Sequence, residues 1–257
     1  MNAEKPSNTW LEKPISDYLP KLTIENLIII IIIFLAIVSR FYDLGTRVMS
    51  HDEINHVVPS WDLSTGKGYN QDPVTHGPLQ FHLIALTYFM FGDSDFTSRI
   101  PAALSSIMAI VLILFLFKRY LGNYGHLLGG FLFLISPYLL FYGRYTRNEG
   151  LIELFAVLMI YATLRYLDRG DKLSLFLLTI AHALNFAAKE TAYIYIAILL
   201  LFLAFQFLTE VIREHWQAEK SRQLFIILTI ATLGLLFAGI ILGYMGAKQN
   251  PTNETPP

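Results

Sequence analysis

The stretch Ser50-His51-Asp52-Glu53-Ile54-Asn55-His56 places two carboxylates between two histidines, downstream of an apolar run long enough to span a membrane. Four further junctions put charge beside apolar segments. His76 precedes Gly77-Pro78, and Arg99 stands ahead of Ile100-Pro101. Arg144, Arg147 and Glu149 share one short stretch, and Lys189-Glu190 separates two apolar runs. Ionisable groups at such depths are expensive and mark function by default. A carboxylate facing arginines, a lysine and a histidine suits group transfer from a phosphorylated lipid. The cations would hold the departing phosphate as a charge clamp. The acid would take the proton from an incoming hydroxyl as general base.

Each residue also has a plainer reading. Lys189 could snorkel to headgroups, and Arg144 or Arg147 could hold lipid phosphate. Asp52 could cap a loop helix, Glu53 could be solvated, and His76 could be an ordinary turn residue. Convergence of five junctions on one face carries the functional reading; no single residue does. The two histidines do not form a zinc-protease pair. That motif sets them four apart, about 40° around a helix, whereas His51 and His56 are five apart, about 140°. A divalent metal held by Glu53 or His76 with distant partners stays open, and no cofactor is specified.

The elements that must position these groups are membrane helices. Of 257 residues, 54% are hydrophobic and 15% charged, against about 25% charged in soluble domains. The net charge of −1 gives no sign of a nucleic-acid partner. The absence of cysteine excludes disulfides and thiolate chemistry. Spans need roughly 17–25 apolar residues. Seven are expected: Leu22–Val38 (extending to Phe41), Ile100–Phe117, Leu127–Tyr142, Leu151–Leu167, Leu173–Ala188, Thr191–Leu208 and Leu224–Met245. Residues 78–92 are too short to span and contain Gln80 and His82, so they read as an interfacial helix. His182 and Asn185 are the notable polar residues inside the spans and read as helix-packing groups.

The fold class is thus all-α integral membrane, with about seven transmembrane helices and a long first extracytoplasmic loop, 42–99, carrying juxtamembrane helices. Residues 1–21 form a cytoplasmic N-terminal segment, 22–245 the membrane module and 246–257 a flexible tail. The N-terminal segment is polar and proline-punctuated, so the first apolar run is expected to remain as an anchor. With the N-terminus inside, eleven of the 19 Lys and Arg fall on the inner side, mostly in short loops. The acid-bearing junctions then all face outward.

The sequence resembles the GT-C membrane glycosyltransferases. Within them it is most similar to the branch of protein O-mannosyltransferases and aminoarabinose transferases, and to the flippase-activity-associated group. The pieces that carry this are HDEINH, GYNQDPVTHGPLQFHLIALTYFMFGDSDFTSRIPAAL, YGRYTRNEGLIELF and AAKETAYIYI, in the family's order across about residues 22–209. The resemblance implies a core of seven membrane helices and inverting transfer from a polyprenyl-phosphate sugar. It assigns the catalytic base to Asp52, a supporting acid to Glu53 and a cation near the donor phosphate to His76. Arg99 matches an arginine for loop architecture or donor binding, Arg144 and Glu149 a paired Arg and acid, and Lys189 a lysine near the lipid phosphate. Arg147 joins the phosphate-binding set, with His56 and Glu190 in support. Glu149 stands where relatives carry Asp, and the chain ends soon after its seventh span, where relatives continue. An alternative is therefore a catalytically inactive structural or assembly subunit, with a protein partner supplying the C-terminal region or a larger membrane complex around it. An ion or lipid transporter is more distant. The membrane is expected to be the prokaryotic cytoplasmic membrane.

Overall fold

The computed structural model describes residues 23–69, 77–214, 216 and 218–249; His76, the segment 1–21 and the end of the tail lie outside them. The described residues form α-helices: α1 Ile24–Phe41, α2 His51–Ser64, α3 Leu79–Phe91, α4 Asp95–Leu116, α5 Lys118–Ile135, α6 Pro137–Tyr142, α7 Glu149–Arg169, α8 Lys172–Ala188, α9 Ala192–Arg213 and α10 Glu219–Gln249. Five of them, α1, α4, α7, α9 and α10, are long and apolar enough to cross a membrane. The protein is an all-α membrane protein. The expected fifth span coincides with α8, which has 17 residues. The expected third span is broken at Ser136-Pro137 into α5 and α6. The loop expected at 42–99 carries α2 and α3.

The chain divides at Ile198–Leu199 into two compact units. In the first, α4 is the central element. Its Ala102, Ala103, Ser106 and Ala109 are buried, and such small side chains let neighbouring backbones approach. Gly150 of α7 uses that space, since a Cβ there would lie 3.1 Å from the Ala102 carbonyl oxygen. On another side Ile107, Ile110 and Leu114 pack with Ile29, Ile32 and Ala36 of α1 and Leu134 of α5. In the second unit the distal half of α9 and α10 meet near Trp216, whose ring lies 5.4 Å from Phe225.

Two prolines free backbone carbonyls in this apolar core, and both are answered. Pro101 within α4 cannot donate to Thr97, so the Thr87 hydroxyl of α3 does, at 3.0 Å, fixing α3 to α4. Pro137 cannot donate to Phe133. Arg40, fully buried near the end of α1, reaches the carbonyls of Phe133 and Leu134, each at 3.0 Å. The break between α5 and α6 is thereby capped by a charged side chain from α1. Asn185 packs as expected, donating to the Met159 sulfur at 3.5 Å.

Candidate active site

The acid pair is placed by a capping box. Ser50 is the N-cap of α2, its hydroxyl accepting from the Glu53 N–H while the Glu53 carboxylate accepts from the Ser50 N–H. Asp52 is therefore not the cap. It sits in the first helical turn, where the helix dipole favours a negative charge. Adjacent in sequence, the two acids have opposite environments. The Asp52 side chain is 54% exposed, and that of Glu53 is 0% exposed.

Glu53 is the centre of a closed knot. Its Oε1 accepts from Arg99 Nε at 2.9 Å and the Thr146 N–H at 3.1 Å. Its Oε2 accepts from Arg99 Nη2, Arg47 Nη2 and the Ser50 N–H. Arg99 donates from its remaining nitrogen to the Leu44 carbonyl at 2.7 Å. Burial works against the Glu53 charge, yet Arg99 and the two backbone N–H groups outweigh it and hold the carboxyl below its ordinary range. The knot joins α2, α4 and the loops on either side. Arg47 is also braced over the Tyr145 ring at 4.9 Å, and Tyr145 meets the Ser50 hydroxyl at 2.5 Å. With five donors on its two oxygens, Glu53 has no room for a metal. Among the described residues no three His, Asp or Glu converge as metal ligands.

A second arrangement runs as a line of alternating charge. Asp52 accepts from Arg147 Nη1 at 2.8 Å, Arg147 Nε lies 3.5 Å from Glu149 Oε2, and Lys189 Nζ donates to Glu149 Oε1 at 2.8 Å. Glu149 begins α7 and Lys189 ends α8 with an extended backbone, so two helix ends present the inner half of the line. Glu149 and Lys189 form part of the wall of a cavity of about 530 Å³. Tyr138, Ile152, Val157, Ile194 and Tyr195 supply much of the rest.

The other residues singled out from the sequence stand apart from this line. Arg144 donates to the Ser39 carbonyl at 2.6 Å, capping the end of α1, and burial pulls its guanidinium below the ordinary value. With Arg47, Arg99 and Phe141 it lines a smaller cavity of about 330 Å³. His56 is buried between α2 and α3, 5.2 Å from the Phe81 ring. Glu190 is exposed in the turn that starts α9. His76 lies outside the described residues, but its neighbour Gly77 donates to the Ala188 carbonyl at 3.2 Å, directly before Lys189. Sequence reasoning missed Glu153, one turn below Glu149 on the same cavity wall. Its signal was a lone acid inside an apolar run, four residues from another acid.

Gly77 tests how tightly the loop is registered on Lys189. A Cβ there would fall 2.2 Å from the Ala187 carbonyl oxygen. Gly77→Ala is expected to cost about 1–3 kcal/mol of stability by overpacking. It should push the loop off the end of α8. A lower thermal unfolding midpoint in micelles would show it; an unchanged midpoint would refute the close approach.

No curated protein matches the chain. The sequence model of one family, dolichyl-phosphate-mannose-protein mannosyltransferase, matches residues 75–241, or 167 of 257 residues. The match takes in Arg99, Arg147, Glu149 and Lys189 and begins after the acid pair. It agrees with the GT-C resemblance read from the motifs. The chain belongs to the dolichyl-phosphate-mannose-protein mannosyltransferase family, a GT-C type of glycosyltransferase-like membrane protein.

Proposed function

We propose that the chain transfers a sugar from a polyprenyl-phosphate donor to an acceptor hydroxyl on the extracytoplasmic face, with inversion. The observation that carries this reading is the line Asp52–Arg147–Glu149–Lys189, which is exposed at one end and borders a largely apolar cavity at the other. A donor phosphate beside Lys189 and Arg147 would draw both cations from their carboxylates. Asp52 then loses its only hydrogen-bonded ion-pair partner among the described residues and is free to accept a proton. The acceptor oxygen forms its bond to the anomeric carbon as the bond from that carbon to the phosphate oxygen breaks. The proton goes to Asp52, and polyprenyl phosphate departs held by the cations. Displacement from the face opposite the phosphate inverts the anomeric centre. The N-terminus lies inside in this arrangement, so the junctions at 42–99, 143–148 and 189–191 face outward. The finer branch, with O-mannosyltransferases and aminoarabinose transferases, is supported by the quoted motifs.

A second reading is favoured by the same pairing. Every acid of the line already has a basic partner, so the network closes on itself without ligand, as a retained scaffold in a non-catalytic subunit would. Native mass spectrometry of protein gently extracted from its membrane separates the two. A bound polyprenyl-phosphate sugar, lost from Lys189→Ala, is the expected result. A fixed-ratio protein partner with no such lipid would overturn transfer in favour of the subunit.

A further inference from the structure

Glu153 is an acid that the line of charge does not use. Both of its oxygens are buried, as is Glu149 Oε2, and none of the three has a hydrogen-bond donor among the described residues. Glu149 and Glu153 are four residues apart on α7 and so face the same way. Both line the 530 Å³ cavity, where the Thr191 hydroxyl also lacks a partner among the described residues. That volume is in the range of small-ligand sites, about 300–1,000 Å³. The cations that act on these acids among the described residues are otherwise engaged: Arg147, 3.5 Å from Glu149 Oε2, donates its hydrogen bond to Asp52. Arg40 acts on Glu153 through space, but its nitrogens are taken up by Phe133, Leu134, Ser39 and Ser106. Lys189 is held by Glu149 Oε1.

Buried acceptors of this kind are ordinarily satisfied by protein, water or ligand, so an occupant that displaces water from this cavity has to bring donors of its own. Charge narrows its chemistry. Glu149 already stands between Lys189 and Arg147, and Glu153 lies in the field of the buried Arg40, so the site offers little unmatched negative charge to attract an ammonium group. The two free oxygens of Glu153, with Glu149 Oε2 met only by the Arg147 ion-pair contact at 3.5 Å, favour several neutral hydroxyls. We infer that Glu153 is a specificity-determining residue whose carboxyl oxygens, with Glu149 Oε2, accept hydrogen bonds from the hydroxyls of the sugar seated in this cavity. The inference rests on the glycosyl-transfer reading and assigns a sugar-reading role within it.

The test uses the full chain in nanodiscs with two probes, polyprenyl phosphate and polyprenyl-phosphate mannose. The wild type should bind the mannosylated lipid at least about tenfold more tightly, since a site built to hydrogen-bond hydroxyls rejects a ligand that lacks them. Glu153→Leu should erase that preference and leave binding of the sugar-free lipid unchanged. Glu153→Gln, which keeps an acceptor oxygen, should retain most of it. Three outcomes overturn the inference alone: equal wild-type affinity for the two lipids, a preference that survives Glu153→Leu, or loss of both lipids in that variant. Failure of the wild type to bind either lipid would defeat the glycosyl-transfer reading and this inference together.

Discussion

Asp52→Asn is expected to lower sugar transfer by about 10²–10⁴-fold, the usual range for loss of a positioned general base. The fold and the lipid occupancy should remain those of the wild type. The substitution is nearly isosteric, and the amide oxygen can still accept from Arg147, so the line of charge keeps its shape. What disappears is a carboxylate able to take the acceptor proton. Motif position alone leaves two neighbouring acids as candidates. Their environments divide the work, because Asp52 is half exposed with one hydrogen-bonded partner while Glu53 is enclosed by five donors. Turnover with purified donor and native mass spectrometry on the same sample make the comparison. Undiminished turnover in Asp52→Asn would remove Asp52 as the base. Lost lipid occupancy would make it a binding residue instead.

The long helices were legible because a span announces itself by length: α1, α4, α7, α9 and α10 each cover all or nearly all of an expected apolar segment. Less visible was the break at Ser136-Pro137. A proline inside Leu127–Tyr142 signalled it, but Arg40, the group that makes the break tolerable, lies 93 residues or more away in sequence. The capping box was readable as Ser50-x-x-Glu53, and it changes what the acid pair means. One acid of the pair completes a helix start, and the other is left as the proposed base. Pairing was the illegible part. Sequence places Arg99, Arg144 and Arg147 at one face, but their division among a knot, a helix cap and a charge line depends on how α1, α2, α4 and α7 pack. Glu153 was hidden for a related reason: within an apolar segment its neighbours suggest only lipid or core, and the cavity that gives it a role exists only after folding.

Glu53→Gln should be among the most destabilising conservative substitutions in the protein. Removing one partner of a buried ion pair leaves the other charged and uncompensated, at a cost of about 3–5 kcal/mol. Arg99 has only 1% of its side chain exposed and would be that stranded charge. The amide introduced by Glu53→Gln would also turn a donor toward arginine and backbone donors, so geometry is lost along with charge. Replacing Arg99 as well, in Glu53→Gln/Arg99→Met, should recover part of the stability, because the double change removes the uncompensated charge. Thermal unfolding in micelles across pH supplies an independent check. The folded-state carboxyl lies below its ordinary value of 4.5, so its ionised form is the one the fold favours. That contribution is fully present above 4.5 and is lost as pH falls through the lower folded-state value. Wild-type stability should therefore drop on acidification below about 4.5, while Glu53→Gln, already lacking that contribution, should show a flatter acid limb. Parallel acid limbs, or a glutamine variant as stable as the wild type at neutral pH, would mean that the Arg99–Glu53 knot does not hold the loop in place. The half-exposed Asp52 would then have lost the rigid neighbour that fixes where its carboxylate meets an acceptor.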